Sequence, residues 1–444
     1  MPNLTVNRVA NWEIETALMK TLANWEIKRL KYVARRSEVK TEADEDSLVP
    51  YIGLEHIESQ TGRLLPLDDE LVPAGVSNSF KSGDTLFGKL RPYLAKVCNV
   101  DFDGLCSSEL LVLRGGNYDC RFLLYQLLNQ DFIRLIDSST YGSKMPRASW
   151  DFIGSCELAW PPLDEQQTIA DFLDAKTAQV DNLMEQQRQL IARLKEKRGA
   201  LITRTVTLGL PPDAARAAGL ELHPAMKDSG VEWLGEIPAH WEVLPLTKYL
   251  SEMSDYRGKT PEKLDDGVLL LTARNVRMGF IDYECSHEYV SEYDYSEIMR
   301  RGLPKCGDIL FTTEAPLGNV AIVDREDVAL AQRIIRFRMA SLYFDSRFAL
   351  FGMMSDYFQS QLARLSTGST AEGLKASKFH MLKLVAPPLE EQQVIADFLD
   401  RETARIDQLI AKIEAVLLRL SEYRQTLITA AVTGKIDARS WKMG

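Results

Sequence analysis

What this sequence lacks narrows its function before any motif is read. No eighteen apolar residues run together, and the N-terminus MPNLTVNRVANWEIETALMK has neither a signal-peptide core nor a small-residue cleavage pattern. A cytoplasmic protein with no membrane association is therefore expected. The six cysteines, at 98, 106, 120, 156, 285 and 306, never form a CxxC pair, and the five histidines never stand at zinc-ligand spacing beside them. Neither a disulfide framework nor a metal site is expected, and the thiols read as reduced and mostly buried.

Catalytic signatures are missing too. There is no Asn/Asp-Pro-Pro-aromatic tetrapeptide for amino-methyl transfer and no glycine-rich loop after a first strand for its cofactor. Arg257-Gly258-Lys259-Thr260 imitates the end of a phosphate loop, but Met253 stands where the first glycine belongs and Pro261 follows. A two-metal nuclease needs clustered carboxylates. Glu26-x-Lys28 and Glu38-x-Lys40 have no aspartate upstream, and Asp174-x-Lys176 lies in a helical segment. No catalytic residue is expected on this chain.

Positive charge is also short: 53 Lys and Arg against 63 Asp and Glu give a net charge of −10. Residues 1–160 carry 18 basic and 22 acidic side chains (net −4), and residues 211–386 carry 20 and 25 (net −5). A basic domain is the usual footprint of nucleic-acid binding, because phosphate neutralisation supplies most non-specific affinity. DNA affinity from this chain alone should be weak.

What is present is a repeat. PPLDEQQTIADFLD at 161–174 returns as PPLEEQQVIADFLD at 387–400, with twelve of fourteen positions identical at an offset of 226. Each copy opens on Pro-Pro with acidic residues behind it, a helix start, and no glycine interrupts the first copy until Gly199. Steps of four and three from Ile169 (Leu173, Lys176, Val180, Leu183, Gln187, Leu190, Leu194, Lys197, Leu201) meet seven apolar residues in ten. The same walk from Ile395 (Leu399, Glu402, Ile406, Leu409, Ile413, Val416, Leu420, Tyr423, Leu427) meets nine in ten. Two coiled-coil helices of roughly 60 Å, each the other's natural partner, are expected.

The segments ahead of the helices repeat more loosely. Trp25-Glu26-Ile27 matches Trp241-Glu242-Val243, GDTLF (83–87) matches GDILF (307–311), and turns at Gly142-Ser143 and Gly368-Ser369 precede the helices. Runs such as LLVLR, TLFGKL, LLLTA and IIRFRM read as strands, and RFLLYQLLNQDFIRLI and SRFALFGMMSDYFQSQLARL each read as an amphipathic helix. The expected fold class is α/β (α+β): two globular mixed α/β domains separated by two long antiparallel coiled-coil helices with a pseudo-twofold internal repeat.

The doubled PPLxEQxxIAxFLD, the connecting MKDSGVEWLGEIPAHWEV (226–243), GDTLFGKLRPYLAKV (83–97) and GDILFTTEAPLGNVAIV (307–323) carry a likeness. The chain resembles the specificity subunits of type I restriction-modification systems over nearly its whole length. The resemblance implies segments 1–20 (N-terminal extension), 21–158 and 237–385 (target recognition domains 1 and 2), 159–210 and 386–436 (helical spacers), 211–236 (linker) and 437–444 (tail). It implies a non-catalytic subunit that recognises an asymmetric, two-part target in double-stranded DNA. Two methyltransferase subunits would dock around the helices and restriction subunits would join a larger complex. S-adenosylmethionine, ATP and Mg would sit on those partners, with no cofactor on this chain. Readers held at least one duplex turn apart, roughly 34 Å, could enter grooves on one face of the DNA. A coiled-coil adaptor that never touches bases is the competing expectation.

In the first domain Lys81, Lys89, Arg91, Tyr93 and Lys96 alternate basic and aromatic character around a glycine-rich strand end, suited to phosphates and stacking. Ser143, Lys144 and Arg147 join them because the resemblance favours the loop before the helix. In the second domain Arg274, Asn275 and Arg277 follow an apolar strand and are side-chain types suited to guanine and adenine edges, whereas the counterparts near Glu55 and His56 differ in type. Thr312, Thr313, Arg333, Lys375 and Lys378 complete the DNA-binding candidates. Glu165-Gln166-Gln167 and Glu391-Gln392-Gln393, polar in both copies, are candidates for docking identical partner subunits, with capping of the helix as the alternative.

Overall fold

The computed structural model describes residues 24–43, 49–67, 75–142, 144–256, 261–366, 373–438 and 441. The expected N-terminal extension, Ser143 and the Gly368-Ser369 turn lie outside them. The chain divides into two compact units, residues 1–187 with 414–444, and residues 188–413. This division cuts through both long helices, so neither unit coincides with a segment drawn from sequence.

In the first unit, strands β1 (Arg35–Ser37), β2 (Thr85–Gly88), β3 (Val97–Asn99) and β4 (Leu110–Arg114) form an antiparallel sheet in the order β1-β4-β2-β3. Both faces of this sheet are buried, which is why the first four residues of LLVLR are apolar without alternation. Leu111 and Leu113 face helices α1 (Cys120–Leu128) and α2 (Gln130–Ser138), while Leu110 and Val112 face a smaller core with Ile52, Phe80 and Cys106. The second unit repeats the plan. Strands β5 (Leu250–Asp255), β6 (Ile309–Thr312), β7 (Val320–Ile322) and β8 (Ile334–Met339) run in the equivalent order β5-β8-β6-β7. In each unit a smaller sheet includes one parallel pair, Tyr51–Ile52 with Gly104–Cys106 and Val268–Leu271 with Val328–Leu330.

The repeated Gly-Asp-x-Leu-Phe is a turn lock. Asp84 accepts the Lys81 N–H and an ion pair from Arg114 on β4, and Asp308 accepts the Lys305 N–H and ion pairs from Arg336 and Arg338 on β8. The second unit adds a charge inside its smaller core, since Arg336 replaces the apolar Val112 and is 1% exposed. Burial by itself would raise the Asp308 pKa, but hydrogen bonds from Arg338 and Arg336 outweigh it and hold the carboxyl below the usual aspartate range.

Each expected amphipathic helix is broken in the middle. Helix α2 starts afresh after Asn129, and in the second unit α4 (Ser346–Met354) stops before α5 (Asp356–Leu365) at Ser355. Asn129 and Ser355 have extended ψ angles of 125° and 154°, which ends one helix and caps the next. The cap is completed by a long helix. For this the arms are named α3 (Leu163–Leu208) and α6 (Leu389–Val432). Thr429 of α6 accepts the Gln130 N–H at 3.2 Å and Thr203 of α3 accepts the Asp356 N–H at 3.0 Å. The linker region is structured as well, with a helix at Pro212–Ala217 and a strand pair, Met226–Asp228 with Glu236–Pro238.

The arms pair antiparallel through repeat-equivalent contacts. Asp181 meets Arg424 at 2.9 Å in the first unit, and Arg198 meets Asp407 at 3.0 Å in the second. From 181 to 198 is seventeen residues along α3, and from 424 to 407 is seventeen back along α6. The seam differs from the sequence expectation by one residue at every second position. Thr177, Met184, Ile191 and Arg198 turn inward, not Lys176, Leu183, Leu190 and Lys197; Ile410, Leu417 and Arg424 replace Leu409, Val416 and Tyr423. Apolar counting favoured the leucines, but Leu183, Leu190, Leu409 and Val416 are each more than 40% exposed. No described helix is long and apolar enough to cross a membrane.

Three outcomes follow for stability. Arg424→Met should lower the urea unfolding midpoint of the first unit by an amount equivalent to about 1–3 kcal/mol, because it takes the buried guanidinium from Asp181, which keeps only Arg63 at 2.7 Å, and leaves the carbonyls of Gln60 and Thr61 without their donor. The equivalent Arg198→Met should cost the second unit less than about 1 kcal/mol, because Asp407 is half exposed. Because Asp308 has a lowered pKa, its stabilisation is complete above about pH 4 and is lost as pH falls through the lower folded value. The stability gap between the native chain and Asp308→Asn, followed by circular dichroism, should therefore narrow below about pH 4.

Candidate nucleic-acid interface

Part of the first domain's candidate set converges on one corner of the sheet. Where β2 ends, the Lys89 N–H donates to the Glu109 carbonyl at 3.0 Å and the Ala148 N–H donates to the Lys89 carbonyl at 3.0 Å. Leu90 bridges Arg147, and Arg91 turns the chain ahead of Pro92 with a φ of 51°. Lys89, Arg91 and Arg147 thus share the corner, Lys144 lies on the same short loop as Arg147, and exposed Tyr93 follows Arg91.

The remaining two candidates lie elsewhere. Lys81 sits in the turn before β2, at the other end of that strand. The Lys96 ammonium is held by the carbonyls of Leu54 and Ile57 at 2.6 and 2.9 Å, a structural clamp that takes two of its three donors.

The second domain has the same backbone corner where β6 ends. The Thr313 N–H donates to the Arg333 carbonyl at 3.0 Å, the Leu374 N–H donates to the Thr313 carbonyl at 3.1 Å, Glu314 bridges Gly373, and Ala315 precedes Pro316 with a φ of 46°. Beside it a cleft of about 430 Å³ is lined by Arg274, Arg333, Lys263, Thr272 and Glu288. Arg274 is exposed and ion-paired with Glu288, which Lys263 also reaches at 2.8 Å. Exposed Lys375 lies next to Leu374.

Four candidates of the second domain have internal work instead. Asn275 is fully buried: its amide oxygen accepts from the N–H and hydroxyl of Thr272, and its amide nitrogen donates to the carbonyls of Asp282 and Ser286. No group of Asn275 is left for an adenine edge, and this corrects the expectation of base readout there. Thr312 and Thr313 are likewise buried, bonded to Asn319 and to the Arg333 carbonyl. Lys378 donates to the Leu365 carbonyl at 2.6 Å. Arg277 is exposed, 3.5 Å from Asp282 and outside the cleft lining.

The Glu-Gln-Gln motifs divide by position. Glu165 accepts the Trp25 indole at 3.1 Å, and Glu391 accepts the Trp241 indole at 3.1 Å with His240 beside it. The buried Gln166 ties the Asp119 N–H to the Pro161 carbonyl, and Gln392 ties the Asp345 N–H to the Pro387 carbonyl. These contacts explain why Trp-Glu and Glu-Gln recur together. Only Gln167 and Gln393 remain exposed. Lys263 and Glu288 were missed because their neighbours in the cleft come from distant segments.

Residues 23–193 and 300–419 match a family described as the type I restriction modification DNA specificity domain. The chain is 27% identical over 346 residues to the MjaVIII specificity subunit of Methanocaldococcus jannaschii, covering 76% of this chain and 75% of that one. It is 23% identical over 334 residues to the EcoBI specificity subunit of Escherichia coli, covering 73% and 67%. A chain from a structure solved to explain assembly and conformational transition of a type I R-M system superposes with a TM-score of 0.64 at 18% identity, covering 93% and 98%.

If Asn275 is a structural tie, Asn275→Ala should lower the stability of the second unit by about 2 kcal/mol in thermal unfolding, because four part-buried groups on Thr272, Asp282 and Ser286 lose their partner. An unchanged melting profile would contradict that role.

Proposed function

The chain belongs to the type I restriction modification DNA specificity family, and on that premise we propose that it is the subunit that tells a type I enzyme which DNA sequence to act on. The observation that carries this reading is the paired corner. Two domains of one topology present one backbone frame, with Lys89, Arg91, Lys144 and Arg147 around the first copy and Arg274, Arg333 and Lys375 around the second. Shared backbone with unshared side chains is what two readers of different half-sites need. The target is then bipartite and asymmetric, one part per domain.

The chain performs no chemistry itself. Methyltransferase subunits supply S-adenosylmethionine chemistry, and restriction subunits supply ATP- and Mg-dependent steps. Exposed Leu183, Val416 and Gln167 in the first unit, and exposed Leu190, Leu409 and Gln393 in the second, offer these partners side chains that the helix pair does not use itself. Partners also resolve the charge problem. With a net charge of −10, local patches of three or four cations position DNA, while most phosphate neutralisation comes from elsewhere in the complex. A pure adaptor would have no use for a cationic corner in each domain.

Sequencing methylated bases in a host that co-expresses this chain with its methyltransferase partners should reveal a two-part motif with an unspecified spacer. A continuous motif, or none, would count against the reading. Exchanging residues 21–158 for those of another member should change one part and leave the other. In salt titrations of the assembled complex, Lys89→Ala and Arg91→Ala should each reduce the slope of log K against log salt by about 1.

A further inference from the structure

The two corners share a backbone pattern and exchange the positions of acid and base within one ion pair. In the first, the strand-end position is Glu109 and its counter-ion Arg147 comes from the loop before α3. In the second, the strand-end position is Arg333 and its counter-ion Glu314 comes from the loop after β6. Glu109 and Arg333 are the same structural position, because each carbonyl accepts the N–H of the first loop residue, Lys89 or Thr313. Arg147 and Glu314 come from the two sides of the same bridge, Leu90 with Arg147 and Glu314 with Gly373. One ion pair occurs in both domains with acid and base exchanged.

The geometry of each pair is specific. Glu109 meets Arg147 side-on, with both carboxylate oxygens 3.1–3.2 Å from Nε and Oε1 also 3.1 Å from Nη2, and Glu314 Oε1 lies 3.0 Å from Arg333 Nε. A guanidinium held on its Nε side still has one N–H of each terminal nitrogen, on the Nη1–Nη2 edge, for a second partner. That edge is the planar two-donor fork that matches O6 and N7 of guanine in the major groove. The carboxylate also fixes the arginine rotamers before DNA arrives, which removes part of the ordering cost of the contact. Both arginine side chains remain solvent-accessible, at 34% and 55%. Arg333 moreover lines the cleft together with Arg274 and Lys263.

Resting on the specificity reading above, we infer that Arg147 and Arg333 each read one guanine, in the first and second half-sites respectively, and that Glu109 and Glu314 are their positioning residues. The exchange of acid and base across the corner brings the arginine in from opposite sides. Each domain therefore meets its guanine with a different set of neighbours, Lys89 and Arg91 in one and Arg274 and Lys263 in the other. An ion pair kept only for stability would leave the guanidinium replaceable by an ammonium. A guanine fork would not, because lysine presents a single point charge.

The test is methylated-base sequencing of Arg147→Lys and Arg333→Lys, each co-expressed with the methyltransferase partners, alongside Glu109→Gln and Glu314→Gln. Complexes are compared after co-purification, at melting temperatures matched to the native complex. Arg147→Lys should relax one guanine of the first half-site, with discrimination at that base pair falling roughly ten- to a hundred-fold, and leave the second half-site intact. Arg333→Lys should do the reverse. Each glutamine variant should weaken preference at the same base pair as its arginine, which a merely structural role would not move. An unchanged motif in both lysine variants, or a uniform fall in methylation with the motif intact, overturns the assignment while leaving the specificity reading in place. Absence of a two-part motif in the native complex would instead remove the reading on which the assignment rests.

Discussion

Neither lobe closes its core without helix segments from both copies of the repeat. Ile169 and Leu173 of α3 enter the first core together with Leu427, Ile428 and Val432 of α6, while Ile395 and Leu399 of α6 enter the second together with Ile202 and Val206 of α3. The polar contacts follow the same rule. Gln166 and Gln392 lock the start of each arm to its own domain, and Thr429 and Thr203 cap a helix with the end of the other arm. Burial of these apolar helix ends, at about 25 cal/mol per Å² of surface removed from water, ties each unit's integrity to both arms.

That dependence leaves the middles of the arms with a different composition from their ends. The inward positions there include Thr177, Gln187, Arg198, Thr403 and Arg424, a polar set whose buried arginine, Arg424, is paired with Asp181 and bonded to the carbonyls of Gln60 and Thr61. Polar groups at seam positions fix register, since a shift along the helices would separate Asp181 from Arg424 and Arg198 from Asp407 together. Leucines displaced from the seam are then free for partners.

The repeated tetrads and pentads acquire reasons. Gly-Asp-x-Leu-Phe is a capped turn whose aspartate also anchors an arginine of the neighbouring strand, and Trp-Glu with Glu-Gln is an indole-to-carboxylate tie reinforced by a buried glutamine. Recurrence in sequence therefore marked the parts of each domain that must stay the same. The corners proposed to read DNA lie between those parts, where the residues of the two copies differ.

The sequence alone determined the duplication, the two long helices, the mixed α/β class of both domains and the absence of a recognisable catalytic constellation, because each shows as local pattern or its absence. It also offered Lys89 and Arg91, just past the repeated GDTLF, as DNA-binding candidates, and the family resemblance added Arg147. Only the tertiary structure decided which of two neighbouring positions in each heptad turns inward, because hydrophobicity on Leu183 and Leu409 cannot distinguish a seam from a docking face. It alone separated Asn275, whose amide is consumed by its own loop, from Arg274 one residue earlier. It alone paired Glu109 with Arg147 across 38 residues and Glu314 with Arg333 across 19, since the partner of a charge depends on strand order and not on spacing along the chain.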